Sequence, residues 1–218
     1  NRSYDVDPCR NPREAWAWHE ALLSEAPPLD LRACQDRLAH FIRQHDLNHC
    51  SLSYVFGTGP SLARASGYDW SGGGRIVCNT IVRDAEMWAH IRPHFIVAAD
   101  AGYHFGHTAH ARAFRRDLRE RLSETPTGFV YRALFHPYVM NEFAEFADRL
   151  FPVPVHADVR LDTSLLERYF LVRQDNVLPV LLKVAFTLSD DVRLWGFDGR
   201  GPKDRLFWKN SSRHSYPE

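Results

Sequence analysis

The stretch best suited to chemistry is Tyr54-Val55-Phe56-Gly57-Thr58-Gly59-Pro60-Ser61-Leu62. Leu52 to Phe56 is an apolar run that reads as a buried strand ending in a glycine-rich turn. In an α/β sheet, a turn at a strand's carboxyl end is where nucleotide phosphates and ribose commonly sit. Glycines there let the backbone approach a ligand and offer N–H groups to an anion. The stretch is neither a GxGxxG fingerprint nor a P-loop, because no Lys-Ser/Thr follows the second glycine. It points to a nucleotide without specifying which.

Three other groups invite a chemical reading. His104, His107 and His110 recur at every third position, close to one face if the segment is helical, and histidines so placed can share a metal. Gly102 and Gly106 weaken such a helix and no neighbouring Cys or Glu completes a ligand set, so a polar entry loop is the plainer reading. The alternative is that Asp100 and His104 contact substrate at the mouth of the sheet. Asp190-Asp191 are adjacent and read as a turn before Val192. No separated Asp-x-Asp pair is left to hold a divalent ion at a strand end, and no metal site is expected. Arg112, Arg115, Arg116, Arg119 and Arg121 are interleaved with Asp117 and Glu120, the pattern of a solvated helix face with internal ion pairs. Its second reading is a docking surface for an anionic acceptor.

The elements that must position these residues follow from periodicity. Asn11 and Pro12 open a helix with Trp16, His19, Leu22 and Leu23 at helical spacing, and Pro27-Pro28 ends it. Leu31, Leu38, Phe41 and Ile42 continue the pattern in a second helix. Short apolar strands are expected at 52–56, 76–78, 95–99, 128–135, 153–155 and 192–196. Helices are expected at 85–91, 110–122, 140–150 and 177–188. Such alternation favours a parallel, doubly covered sheet. The expectation is one α/β domain of Rossmann-like type over residues 51–218, a mostly parallel sheet covered by helices, with a helical N-terminal extension over residues 1–50.

Bulk properties exclude some classes. With 27 basic against 27 acidic residues in 218, the chain has no net field for nucleic acid or an anionic membrane, and no nucleic-acid partner is expected. No apolar run reaches the roughly 20 residues of a membrane span. Cys9, Cys34, Cys50 and Cys78 form no CxxC pair, as expected for reduced thiols in a cytoplasmic protein. The chain starts at Asn1 and stops at Glu218 without a capped element, as expected of a domain from a longer protein.

From Gly57-Thr58-Gly59-Pro60-Ser61-Leu62 onward, the sequence resembles the bacterial sialyltransferases of glycosyltransferase family 42 and their sialyltransferase-like relatives. Those enzymes carry a Gly-Asn-Gly-Pro-Ser-Leu turn after their first strand and a Cys-Asn pair in the second, similar to Cys78-Asn79. Asp100, after Phe95–Ala99, takes the place of a ligand-facing polar residue. Val192-Arg193-Leu194-Trp195-Gly196-Phe197-Asp198 looks like the family's strand ending Gly-Ile-Asp, and Lys209 to Tyr216 is similar to the segment with the catalytic histidine. Thr58 stands where the family has asparagine, and Asp100 where asparagine is usual.

The resemblance implies transfer of an acidic sugar, of sialic acid or Kdo (3-deoxy-manno-octulosonic acid) type, from a CMP-sugar donor to a hydroxyl of a glycan or glycolipid acceptor. No cofactor is implied beyond the donor substrate. By the same resemblance His214 is the catalytic base, a role suited to a side chain with a pKa near about 6.5. Gly57, Thr58, Gly59, Ser61, Asn79, Asp100, Asn176, Asp198 and Tyr216 form the expected substrate and nucleotide contacts. Asp198 could also order the loop bearing His214, or cap a turn or helix. The resemblance further implies a cytoplasmic enzyme, with a peripheral position at the inner membrane face as a variant, and further domains or subunits of a glycan assembly enzyme as partners. Two alternatives stay open. One is a pterin diphosphokinase-like, ATP-dependent enzyme, in which a strand-end Asp100 could hold magnesium. The other is a non-catalytic module that recognises glycan.

Overall fold

The computed structural model describes residues 28–106, 108–156, 164–172, 177–199 and 213–216. Its centre is a six-stranded, all-parallel sheet built from β1 (Ser53–Phe56), β2 (Gly74–Cys78), β3 (Phe95–Ala98), β4 (Gly128–Arg132), β5 (Leu150–Val153) and β8 (Val192–Trp195). The order across the sheet is β5-β4-β3-β2-β1-β8. A separate parallel pair joins β6 (Val155–His156) to β7 (Leu171–Val172).

The strands are short and apolar because both faces are covered. Side chains alternate between two cores, with Phe56, Val77, Ile96, Ala98, Phe129 and Tyr131 on one face and Val55, Ile76, Phe95, Val97 and Val130 on the other. The first face is covered by the 3-10 helices Pro60–Gly67 and Asn79–Arg83, and by α2 (Ala85–Ile91), α3 (Ala109–Glu124) and α4 (His136–Glu142). The second is covered by α1 (Leu31–Gln44) and α5 (Leu178–Leu188).

The chain steps outward from β1 to β5 and then returns to lay β8 on the other side of β1. Right-handed crossovers running in opposite directions across a sheet put their helices on opposite faces, which is why α5 packs opposite α2 and α3. The boundary between β1 and β8 is therefore the topological switch point. Phe56 lies in register with Val77 on one side and Trp195 on the other, so the turns after β1 and β8 leave the sheet side by side.

Some expected boundaries shift. Residues 133–135 form a 3-10 turn rather than the end of a strand. The helix expected at 140–150 starts at His136, with Pro137 in its first turn, and stops before Phe143, whose φ of −130° is not helical. A 3-10 segment, Ala144–Arg149, then leads into β5, which ends at Val153, and β6 begins at Val155, so the strand expected at 153–155 spans the break between the two. The helix containing Leu31 is no accessory layer. Cys34, Leu38, Phe41 and Ile42 are buried in the second core, and the Phe41 ring lies 5.2 Å from Phe95 and 5.3 Å from Phe151. The expected helix beginning at Pro12 lies outside the described residues.

Candidate functional site

At the switch point two loops interlock. The Gly57 N–H donates to Trp195 O at 2.7 Å, and the Gly59 N–H donates to Gly196 O at 2.9 Å. Asp198 Oδ2 accepts from both the Ser61 N–H and the Ser61 hydroxyl, each at 2.9 Å. Gly196 has φ +70°, a left-handed conformation that favours glycine. A Cβ on Gly57 would lie 2.6 Å from Gly196 O, and one on Gly59 would lie 2.7 Å from that atom and collide with the Asp198 carboxylate.

This corrects the role expected of the turn. Gly57 and Gly59 are small so that two loops can touch, and their N–H groups are already donated to β8's loop rather than held ready for a phosphate. Asp198 ties down the start of the Pro60–Gly67 helix from the neighbouring loop, and so rigidifies the turn. Thr58 is partly buried between the two glycines.

Asn79 follows β2 directly and adopts φ +49°. Asparagine tolerates the left-handed region better than most residues. Its Oδ1 is buried and, among the described residues, accepts no hydrogen bond. An unmet buried acceptor costs about 1–3 kcal/mol, and strained residues with unmet polar atoms gather at ligand sites. The preceding Cys78 is a packing group. Its thiol is buried, with its pKa pushed up to about 12 by desolvation, and donates to Phe56 O at 3.5 Å.

Asp100 is exposed at the end of β3 and starts a π-helical turn, Ala101–Phe105. Its N–H donates to His104 Nδ1 at 3.0 Å, and its carboxylate accepts from the Tyr103 N–H at 3.4 Å. His104 is 2% exposed, with its ring 4.4 Å from that of Phe114. It is thus a core acceptor, while His110 stacks edgewise on Tyr103 at 5.3 Å and on Tyr216 at 5.0 Å. His107 lies outside the described residues. Among the described residues, no group of three or more His, Cys, Asp or Glu side chains is placed to share a metal ion.

The segment 213–216 packs against the elements that follow β2. The Tyr216 hydroxyl donates to Asp117 Oδ2 at 2.6 Å, and the Arg83 guanidinium sits 5.3 Å from its ring centre. Both Tyr216 and Asp117 are buried, so Tyr216 is an anchor rather than the expected nucleotide contact. His214 Nε2 lies 3.5 Å from Asp84 Oδ2. Burial lowers the His214 pKa, and the Asp84 carboxylate opposes that shift while Arg213 and Arg83 reinforce it. Asn176 lies outside the described residues. Asp84 was not anticipated as a site residue. Its signal was an aspartate just before the helical Ala85–Ile91, read only as helix.

The structure thus brings Gly57, Thr58, Gly59, Ser61 and Asp198 into one interlocked floor. Asn79 and Asp100 stand at the ends of the next two strands, and His214 sits beside the N-terminus of α2. On α3, Arg116 pairs with Asp117 at 2.8 Å and Arg121 with Glu124 at 2.7 Å within the helix, whereas Arg115 reaches Glu142 of α4 at 3.3 Å and Arg119 reaches Glu145 at 2.9 Å. Arg115 and Arg121 are buried, so the face is not the wholly solvated one expected.

A cavity of about 750 Å³ lies at the opposite, amino end of the strands, lined by Tyr68, Trp70, Arg75, His90 and His94 among others. Arg75 is committed there to structure, donating to the carbonyls of Trp70, Gly73 and Arg92. In open α/β sheets ligands bind at the carboxyl ends of strands, beside the switch point. That principle and the Asn79 oxygen favour the carboxyl end of the sheet over this cavity.

An all-parallel sheet covered by helices on both faces, with its switch point between β1 and β8, makes the chain a Rossmann-like α/β protein. No protein-family model, curated protein or solved structure matches it significantly.

Proposed function

We propose that the chain is a glycosyltransferase that moves an acidic sugar of sialic acid or Kdo type from a CMP-activated donor to a hydroxyl of a glycan or glycolipid. The observation that carries this reading is Asn79, a left-handed residue at the carboxyl edge of the sheet whose buried amide oxygen has no partner among the described residues. An acceptor oxygen there suits a ligand that donates, such as a cytosine amino group or a ribose hydroxyl. The interlocked turn forms a rigid floor beneath the nucleotide, with Thr58 and Asp100 on its rim.

In the reaction, the acceptor hydroxyl gives its proton to His214 as its oxygen bonds to the anomeric carbon. The bond from that carbon to the phosphate oxygen breaks, and its electron pair leaves with CMP. Free thiols at Cys34, Cys50 and Cys78 suit a reducing compartment such as the cytoplasm. Further domains or subunits of a glycan assembly enzyme would supply the acceptor.

Calorimetric titration with CMP, with ATP-magnesium as comparator, tests the reading. CMP should bind without added metal, and Asn79→Ala should weaken binding about tenfold, the worth of one buried hydrogen bond. Preference for ATP-magnesium would move the assignment to diphosphate transfer. Indifference to both would favour a non-catalytic module, a reading to which the internally satisfied glycine turn is equally suited.

A further inference from the structure

We propose that Asp84 is the positioning residue for His214, fixing the imidazole and supplying the negative charge against which it takes up a proton. The proposal rests on the reading of His214 as the base. Its observations are geometric. The two side chains are mostly buried, 5% exposed for Asp84 and 10% for His214, and Asp84 Oδ2 lies 3.5 Å from His214 Nε2. The other carboxylate oxygen, Oδ1, accepts from the Met87 N–H at 3.1 Å and so caps α2. The cap uses one oxygen and locks the carboxylate's rotation, which fixes the direction in which the second oxygen faces.

That second oxygen is buried and, among the described residues, accepts no hydrogen bond, its nearest cationic neighbours being its ion-pair partners. Its neighbours are cationic or able to become so, Arg213 Nη1 at 3.6 Å and His214. A buried carboxylate oxygen left in this state stabilises a proton arriving on the imidazole, since the pair then becomes a close ion pair. Among the described residues, other charges near His214 include Arg83 and Arg213, which oppose its protonation, and Glu86, 3.6 Å from Arg213, which tempers them. The arrangement divides labour within one carboxylate, with one oxygen serving the fold and the other the base. A serine or asparagine would cap α2 as well but would bring no charge to the histidine.

The test is an NMR titration of the full chain with labelled histidine, the His214 signal being the one missing from His214→Ala. Asp84→Asn should keep the thermal midpoint near that of the parent and lower the His214 pKa by about one pH unit. Arg213→Gln should move it the other way. With a turning-over donor and acceptor, the acid limb of kcat/KM should shift down in Asp84→Asn and kcat should fall, while KM for the donor stays put. If Asp84→Asn does not fold, Asp84→Ser repeats the measurement with another capping residue. A His214 titration unmoved by either folded variant overturns the proposal. Because the titration needs no substrate, a shifted His214 in a chain that never consumes a CMP-sugar would end the transferase reading and leave the pair intact.

Discussion

His104 accepts a hydrogen bond from the Asp100 N–H, and burial, with the nearby charge of His110, holds its pKa down to about 3. An unfolded chain protonates a histidine near about 6.5, so between these values the unfolded state binds the extra proton. The contribution of His104 is thus fully present above the unfolded value and is lost as pH falls toward the folded one. Each such histidine steepens the fall by at most about 1.4 kcal/mol per pH unit. His94, also lowered to about 3 by burial and by Arg75, acts in the same direction. Urea unfolding from pH 7 to pH 4 should show falling stability, and His104→Gln should flatten that slope by up to one proton's worth. An unchanged slope would mean that His104 protonates in the folded state without penalty. His104, for which the sequence favours a polar entry loop over a metal ligand or substrate contact, is a buried structural acceptor within the π-helical turn.

At the scale of elements, the glycine turn makes a sharp prediction. Gly59→Ala drives a methyl into Gly196 O and the Asp198 carboxylate, and overpacking of this kind costs about 1–3 kcal/mol. Gly67→Ala, with nothing within 4 Å of the added carbon, should leave stability unchanged. Paired denaturation curves check both, and equal stability for the two variants would show that the loops can part freely. The strands were legible because burial on both faces writes them as apolar runs bounded by turns, as in Leu52–Phe56 and Phe95–Ala98. The α4 boundary was not, because Phe143 is as apolar as a helical core residue and only its backbone angle ends the helix. The turn's location was legible from its glycines, but its purpose was not. That depends on β8 lying beside β1, a pairing between distant parts of the chain that periodicity does not encode. Asp84 beside His214 stayed hidden for the same reason.

For the whole molecule, α1 decides how much of the chain is needed to fold. Phe41 is 5% exposed between Phe95 and Phe151, so Phe41→Ala should cost about 3–5 kcal/mol. A chain starting at Ser51 should show no cooperative thermal transition, because Phe95 and Phe151 would lose the cover of α1 while α5 shields only the rest of that face. Cooperative melting of that fragment would restore the N-terminal helices to the status of an extension. Among the described residues, no helix is long and apolar enough to cross a membrane.

The position of β8 has a consequence for biosynthesis. β1 to β5 can assemble in the order in which they leave the ribosome, each new strand meeting the one made just before it. The inner edge of β1 has to wait until Val192–Trp195 has been made. Until then the glycine turn has no carbonyls to grip, and a nascent chain carries an open sheet edge. A truncated translation product therefore lacks the interlocked turn, and it is exposed to edge-to-edge association until β8 arrives.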